Sequence, residues 1–215
     1  MSTTGTSAPA RGGGQGAGSA PCAGTGRPLR ADARRNYDRL LTAAAASFTE
    51  HGADDTSLEE IARRAGVGIG TLYRHFPTRA ALLEAVYRDQ VEAVRAKADQ
   101  MLASEAPGEA LAEWLRVLVA FSSTKHNLTS ALLETLGRDS AVLSSCSAVI
   151  CSAAEDLLAR AQQAGAARAD ADARDLIRLV HAVSIASQKA PADPGQPDRM
   201  LGLILDGLRP ATPRA

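Results

Sequence analysis

A chain of 215 residues, 45% hydrophobic but only 3% aromatic, can bury a sizeable core in one or two domains. Its 24 basic and 24 acidic side chains cancel. Three cysteines, Cys22, Cys146 and Cys151, exclude a disulfide framework and a C-x-x-C pair.

Alanine, leucine and arginine dominate and β-branched runs are rare, which favours helix. Charge is uneven. Ten arginines stand against seven acidic residues through Ala80, and fourteen basic against seventeen acidic residues follow. A basic front is a weak sign of a polyanionic partner there. Cys146 and Cys151 lie about 140° apart around a helix and do not easily bridge within it. No apolar run approaches the ~18–20 residues of a membrane span. The N-terminus lacks the apolar stretch of a secretion signal. A cytoplasmic protein without a membrane partner is expected.

Residues 1–26 are Gly, Ser, Ala and Thr with almost no large apolar side chains, and a disordered tail is expected. Arg27, Arg30, Arg34 and Arg35 open the next segment. Tyr37, Leu41, Ala44, Ala45 and Phe48 then fall on one helical face, ending at Gly52. Ser57 and Glu60 form a capping box for a second helix, with Leu58, Ile61, Ala62 and Ala65 as its buried stripe. A third short helix runs over 69–75 with Leu72 and Phe76 facing in, and Pro77 breaks it. Thr78 caps a long helix over 79–104. Further helices are expected from about 107, then over 127–136, 139–163, 172–188 and 198–208. The expected fold is all-α, about nine helices in total. It places a three-helix helix-turn-helix domain at 27–78 before a larger helical bundle at 79–210.

The segment "AGVGIGTLYRHFPTR" at 65–79 carries alternating glycines that suggest a phosphate cradle. A dinucleotide fingerprint, however, needs a strand before G-x-G-x-x-G, and here a capped helix precedes and the third glycine is misplaced. Instead, Gly66 supplies the positive φ that ends a helix, and Val67 plugs the gap between helices. Two short helices joined by a glycine turn fit a helix-turn-helix, whose second helix enters a DNA major groove, or three helices that simply belong to an all-α core. Gly70, Thr71, Arg74 and His75 face away from Leu72 and Phe76 and form a small, polar outer face. His51, His75, His126 and His181 form no metal-spaced cluster, and H-E-x-x-H, G-x-S-x-G and P-loop motifs are absent. No enzyme, cofactor or metal is expected.

The stretch "TSLEEIARRAGVGIGTLYRHFPTRAALLEAVY" closely resembles the DNA-binding domain of the tetracycline-repressor (TetR) family of bacterial transcriptional regulators, from about Arg34 to Tyr87. The resemblance implies phosphate contacts from Thr56 or Ser57, Tyr73, His75 and Arg79. It places Gly70 and Thr71 nearest base edges, where a threonine methyl can pack on thymine. The arginines at the front could track the DNA backbone or stay solvated. A serine and a lysine are frequent in the family where Gly68 and Ile69 stand. Ile69 could contact a base or tuck into the core.

The resemblance further implies a ligand-responsive repressor that binds a palindromic double-stranded operator as a homodimer, and an unidentified small-molecule effector. Its bundle shows no motif of its own. Trp114, Phe121, Ser122, His126, Cys146 and His181 are candidate pocket residues. The run "SSCSAVICS" could line a cavity or allow close helix packing. The last two helices resemble the family's dimer-forming pair. Leu176, Val180, Val183, Leu201, Ile204, Leu205 and Leu208 are the expected interface, with intrachain core competing for part of that surface.

Overall fold

The computed structural model describes residues 26–137, 140–189 and 193–210, and the side chains there except those of 26–30, 123–127 and 189. The expected tail and Cys22 lie outside the described residues, as do the side chains of Arg27, Arg30 and His126. Among the described residues there are eight helices and no strand. They are α1 (Gly26–His51), α2 (Leu58–Arg64), α3 (Ile69–His75), α4 (Arg79–Met101), α5 (Pro107–Leu136), α6 (Ala141–Gln163), α7 (Ala173–Lys189) and α8 (Gln196–Leu208).

The boundaries follow local chemistry. The Ser57 hydroxyl accepts from the Glu60 amide at 3.1 Å, and Thr78 does the same for Ala81 at 3.1 Å. Pro107 opens α5, where its missing N–H is not needed. The Asp172 carboxylate accepts from the amides of Arg174 and Asp175 at 2.9 and 3.2 Å and starts α7. Gly66 adopts φ +64°. The Val67 amide then reaches back to the Ala62 carbonyl at 3.0 Å, closing α2 against the turn.

Two hydrophobic cores result. The head core joins Leu40, Ala44 and Phe48 of α1, Ile61 and Ala62 of α2, and Leu72 of α3. It is completed by Leu82, Leu83 and Val86 of α4 and by Leu128, Ala131 and Leu132 of α5. The bundle core gathers Val91, Val94 and Ala98 of α4, Trp114 and Leu118 of α5, Leu157 of α6, Val180 of α7 and Leu201 of α8. The Trp114 indole N–H donates to the Val94 carbonyl at 3.1 Å in its centre.

Two expectations change. The "SSTKHN" stretch reads as a break before a separate helix over 127–136, yet α5 continues through it for 30 residues. The segment holds no glycine or proline to end the helix, and α5 runs on to place Leu128 and Leu132 in the head core. Secondly, α6 is long and apolar enough by length and composition to cross a membrane, over 23 residues at mean hydropathy 1.5. In the fold, its Ile150, Ala153, Ala154, Leu157 and Leu158 pack into the bundle core.

Because the head core needs α5, Leu132→Ala should destabilise the chain by about 2–5 kcal/mol. Urea unfolding with hydrogen exchange checks this. Protection should fall in α1–α3 as well as at the end of α5, although α1–α3 lie more than fifty residues earlier in sequence.

Candidate nucleic-acid interface

Helix α3 has two faces. Leu72 and, just past its end, Phe76 are buried, and the Phe76 ring lies 5.1 Å from that of Tyr37 on α1. His75 is half-buried with its ring edge-on to Tyr37 at 5.8 Å. These aromatic contacts fix the rotation of α3 about its axis. They turn Gly70, Tyr73 and Arg74 outward, with Tyr73 46% exposed. Thr71 is half-buried beside them. Gly68 opens the helix with no side-chain cap, and Ile69 follows it, 38% exposed.

Charge around this face is mostly spoken for. Arg64 grips the Glu50 carboxylate through two hydrogen bonds of 2.6 Å, which fastens the end of α2 to the end of α1. The same contact holds the Glu50 carboxyl below its ordinary range. Arg34 pairs with Asp38 at 3.2 Å, Arg35 with Asp32, and Arg63 with Glu60 at 3.3 Å. Arg74 has no ion pair among the described residues, and α3 carries no acid.

Two expected phosphate contacts are otherwise engaged. Thr56 is 3% exposed. Its hydroxyl donates to the Gly52 carbonyl at 2.7 Å, with the Ser47 carbonyl at 3.3 Å as a second acceptor. This side chain holds the loop and is not presented to solvent. Arg79 donates through Nη1 to the Thr56 carbonyl at 2.7 Å, and its guanidinium sits 6.0 Å from the centre of the Phe48 ring. Its Nη2 is buried without a hydrogen-bond partner. The first residue of α4 is thereby strapped to the loop before α2 and the end of α1. Ser57 stays exposed, but its hydroxyl already caps α2.

The pocket candidates scatter. Trp114 is wholly buried core. Phe121 packs half-buried on the bundle core, and His181 lies on the outer side of α7. Protein crowding disfavours the charged form of His181, although the residue keeps solvent access. Cys146 is buried, and burial pushes its thiol up, away from a reactive thiolate. It lines a small cavity of about 180 Å³ with Arg88, Glu92 and Ser145. The Ser122 hydroxyl is buried without a partner, and so is the Gln90 side-chain oxygen. Sequence reading missed Gln90, because its position between apolar stripes looks like any solvated glutamine. No group of metal-ligating side chains occurs among the described residues.

The expected interface residues also divide. Leu176, Val180, Val183, Leu201 and Leu208 are buried within the chain by its own helices. Ile204 and Leu205 are half-buried. The outward apolar residues of α7 and α8 are Leu179, Ile185 and, 74% exposed, Leu203. A helical apolar stripe marks a buried face without saying whether the same chain buries it.

A glycine-turned helix pair with an outward, acid-free second helix, set on a helical bundle, defines a helix-turn-helix transcriptional regulator. Residues 40–86 match the model for bacterial regulatory proteins of the tetR family, and residues 106–210 that for the SbtR-like transcriptional regulator C-terminal domain. A TetR transcriptional regulator from Streptomyces coelicolor is 38% identical, with TM-score 0.71 over 81% of this chain and 99% of that one. A TetR transcription regulatory protein from Mycobacterium vanbaalenii is also 38% identical, with TM-score 0.67 over 85% and 99%. An HTH-type transcriptional regulator of Staphylococcus aureus is 41% identical over 54 residues, 25% of this chain and 29% of that protein's length. The chain belongs to the TetR family of transcriptional regulators, a family of DNA-binding proteins and not of enzymes.

If Arg79 is a strap, Arg79→Gln should lower stability by about 1–3 kcal/mol. Arg74→Gln, with nothing to lose inside the chain, should stay within about 0.5 kcal/mol of the parent. Urea titration of both variants checks the contrast.

Proposed function

We propose that this chain is a ligand-responsive repressor that binds a palindromic operator as a homodimer, with α3 in the major groove. The observation that carries this is the outer face of α3: bare at Gly68 and Gly70, exposed at Ile69, Tyr73 and Arg74, and fixed in rotation by Tyr37 and Phe76. Tyr73 and Arg74 are the proposed phosphate contacts, with His75 and Ser57 at the edges. Gly70 and Thr71 lie nearest the bases. In this reading Arg79 and Thr56 support the head without touching DNA. Residues 27–78 form the reading head and 79–210 the effector and dimer domain, acting on DNA in the cytoplasm.

One head reads only a few base pairs, so two are needed for a specific site. Leu179, Ile185 and Leu203, flanked by Ile204 and Leu205, offer the apolar surface for a second copy. The effector site is placed between α4 and α5. The Trp114 indole bonds the Val94 carbonyl across this pair of helices, and Gln90 and Ser122 lie about one turn along α4 and about two turns along α5 from that bond. A buried polar atom without a partner is unfavourable by about 1–3 kcal/mol. A bound molecule that hydrogen-bonds both atoms recovers that energy and favours one position of α4, which is how an effector can shift a two-state equilibrium.

Full-length protein should enrich specific duplexes from a randomised pool and bind them with a steep salt dependence. Arg74→Gln should reduce the salt slope by about one per protomer and weaken all sequences similarly. Leu203→Glu should leave the fold intact, give a monomer in sedimentation and lose specific binding. Failure to enrich any duplex would sink the reading.

A further inference from the structure

Nothing inside the chain requires glycine at positions 68 or 70. Gly68 has an ordinary extended backbone, with φ −69° and ψ 146°. A Cβ built on either residue meets no atom within 4 Å, and neither shows positive φ. Glycine within a helix is the least favourable residue short of proline. Gly70, inside α3, therefore leaves the helix weaker than an alanine would, and Gly68, at its N-cap, gives up the side-chain cap that a serine would supply, with no internal return. The return must come from outside, where a missing side chain permits close approach.

Between these bare positions stands Ile69. It is 38% exposed, and it is absent from the head core and from the partly buried residues packed against that core, which include Leu58 and Val67. Ile69 therefore stands outside the buried core. A β-branched apolar side chain thus projects from the first turn of α3, flanked by two residues with none. The rest of the outer face is polar or basic: Thr71, Tyr73 and Arg74.

We propose that Ile69 is a specificity-determining residue that reads the C5 methyl group of a thymine, with Gly68 and Gly70 giving the close approach that this contact needs. This rests on the DNA-binding reading above. The chemistry is selective. In the major groove the thymine methyl is the one apolar group that a base edge presents. Cytosine offers Ile69 a bare C5–H beside an amino donor that isoleucine cannot accept. Adenine and guanine offer acceptors that it cannot satisfy. A lysine or serine at this turn could instead serve a phosphate or a polar base edge. Replacing that polar pair with Gly–Ile changes the kind of group that the helix start can recognise.

The test uses full-length protein and a duplex that it selects from a randomised pool. Each thymine is replaced singly by deoxyuridine, which removes only the methyl, and affinity is read by fluorescence anisotropy. One position per half-site should lose about fourfold, the effect of exposing one methyl-sized group. Ile69→Ala should fold with an unchanged melting temperature, bind more weakly, and lose the sensitivity at that position alone. Gly70→Ala should melt no lower than the parent and yet bind less tightly. A selected duplex with no methyl-sensitive thymine would overturn the inference and leave the DNA-binding reading standing. Undiminished uracil sensitivity in Ile69→Ala, or parental affinity in Gly70→Ala, would also overturn it. Failure to select any duplex would remove both.

Discussion

Helix α4 is packed into both hydrophobic cores, and the rest of the arrangement depends on it. Its first two turns give Leu82, Leu83 and Val86 to the head, and its later turns give Val91, Val94 and Ala98 to the bundle. Tyr87 touches both. Close-packed interiors do not deform continuously, so a shift of α4 in one core must be matched by repacking in the other. Helix α5 reinforces the link, because its Leu128 and Leu132 reach the head while Trp114 and Leu118 remain in the bundle. The head is therefore not a free module on a linker.

Arg79 makes that connection directional. As the first residue of α4 it grips the Thr56 carbonyl, and Thr56 is itself tied to Gly52 at the end of α1. The Arg79–Thr56 bond ties the start of α4 to the loop that leads into α2, and the Glu50–Arg64 pair joins α2 back to α1. The Tyr37 and Phe76 rings carry α3 with α1. In the proposed function, an effector that satisfies Gln90 and Ser122 acts on the same helix, about three turns beyond Arg79. No separate transmission path is needed, since both sites bias one packed element.

The head was largely legible in the sequence because its signals are local. Ser57 and Thr78 as caps, Gly66 as a positive-φ stop, and the spacing of Ile61, Leu72 and Phe76 each act within a few residues. What escaped was mostly long-range. In "SSTKHN" a run of polar residues imitates a loop, and the absence of glycine or proline, which lets α5 continue, is a weak signal. The burial of Leu176, Val180 and Leu201 depends on which neighbour covers an apolar stripe, and periodicity does not encode that choice. Thr56 and Arg79 matched a contact pattern by position, but their hydrogen bonds to Gly52 and Thr56 arise from the tertiary fold. Gln90 could be found only once its oxygen was seen to be buried and unpartnered.

In the proposed function the outer face of α3 meets DNA while the strap at Arg79 stays within the protein. Hydrogen exchange of the full-length chain, free and bound to a selected duplex, tests it most directly. Slowed exchange is expected over residues 57–79, strongest from 68 to 75, with smaller changes spreading along α4. Protection confined to other surfaces, with 68–75 exchanging as in the free protein, would contradict it.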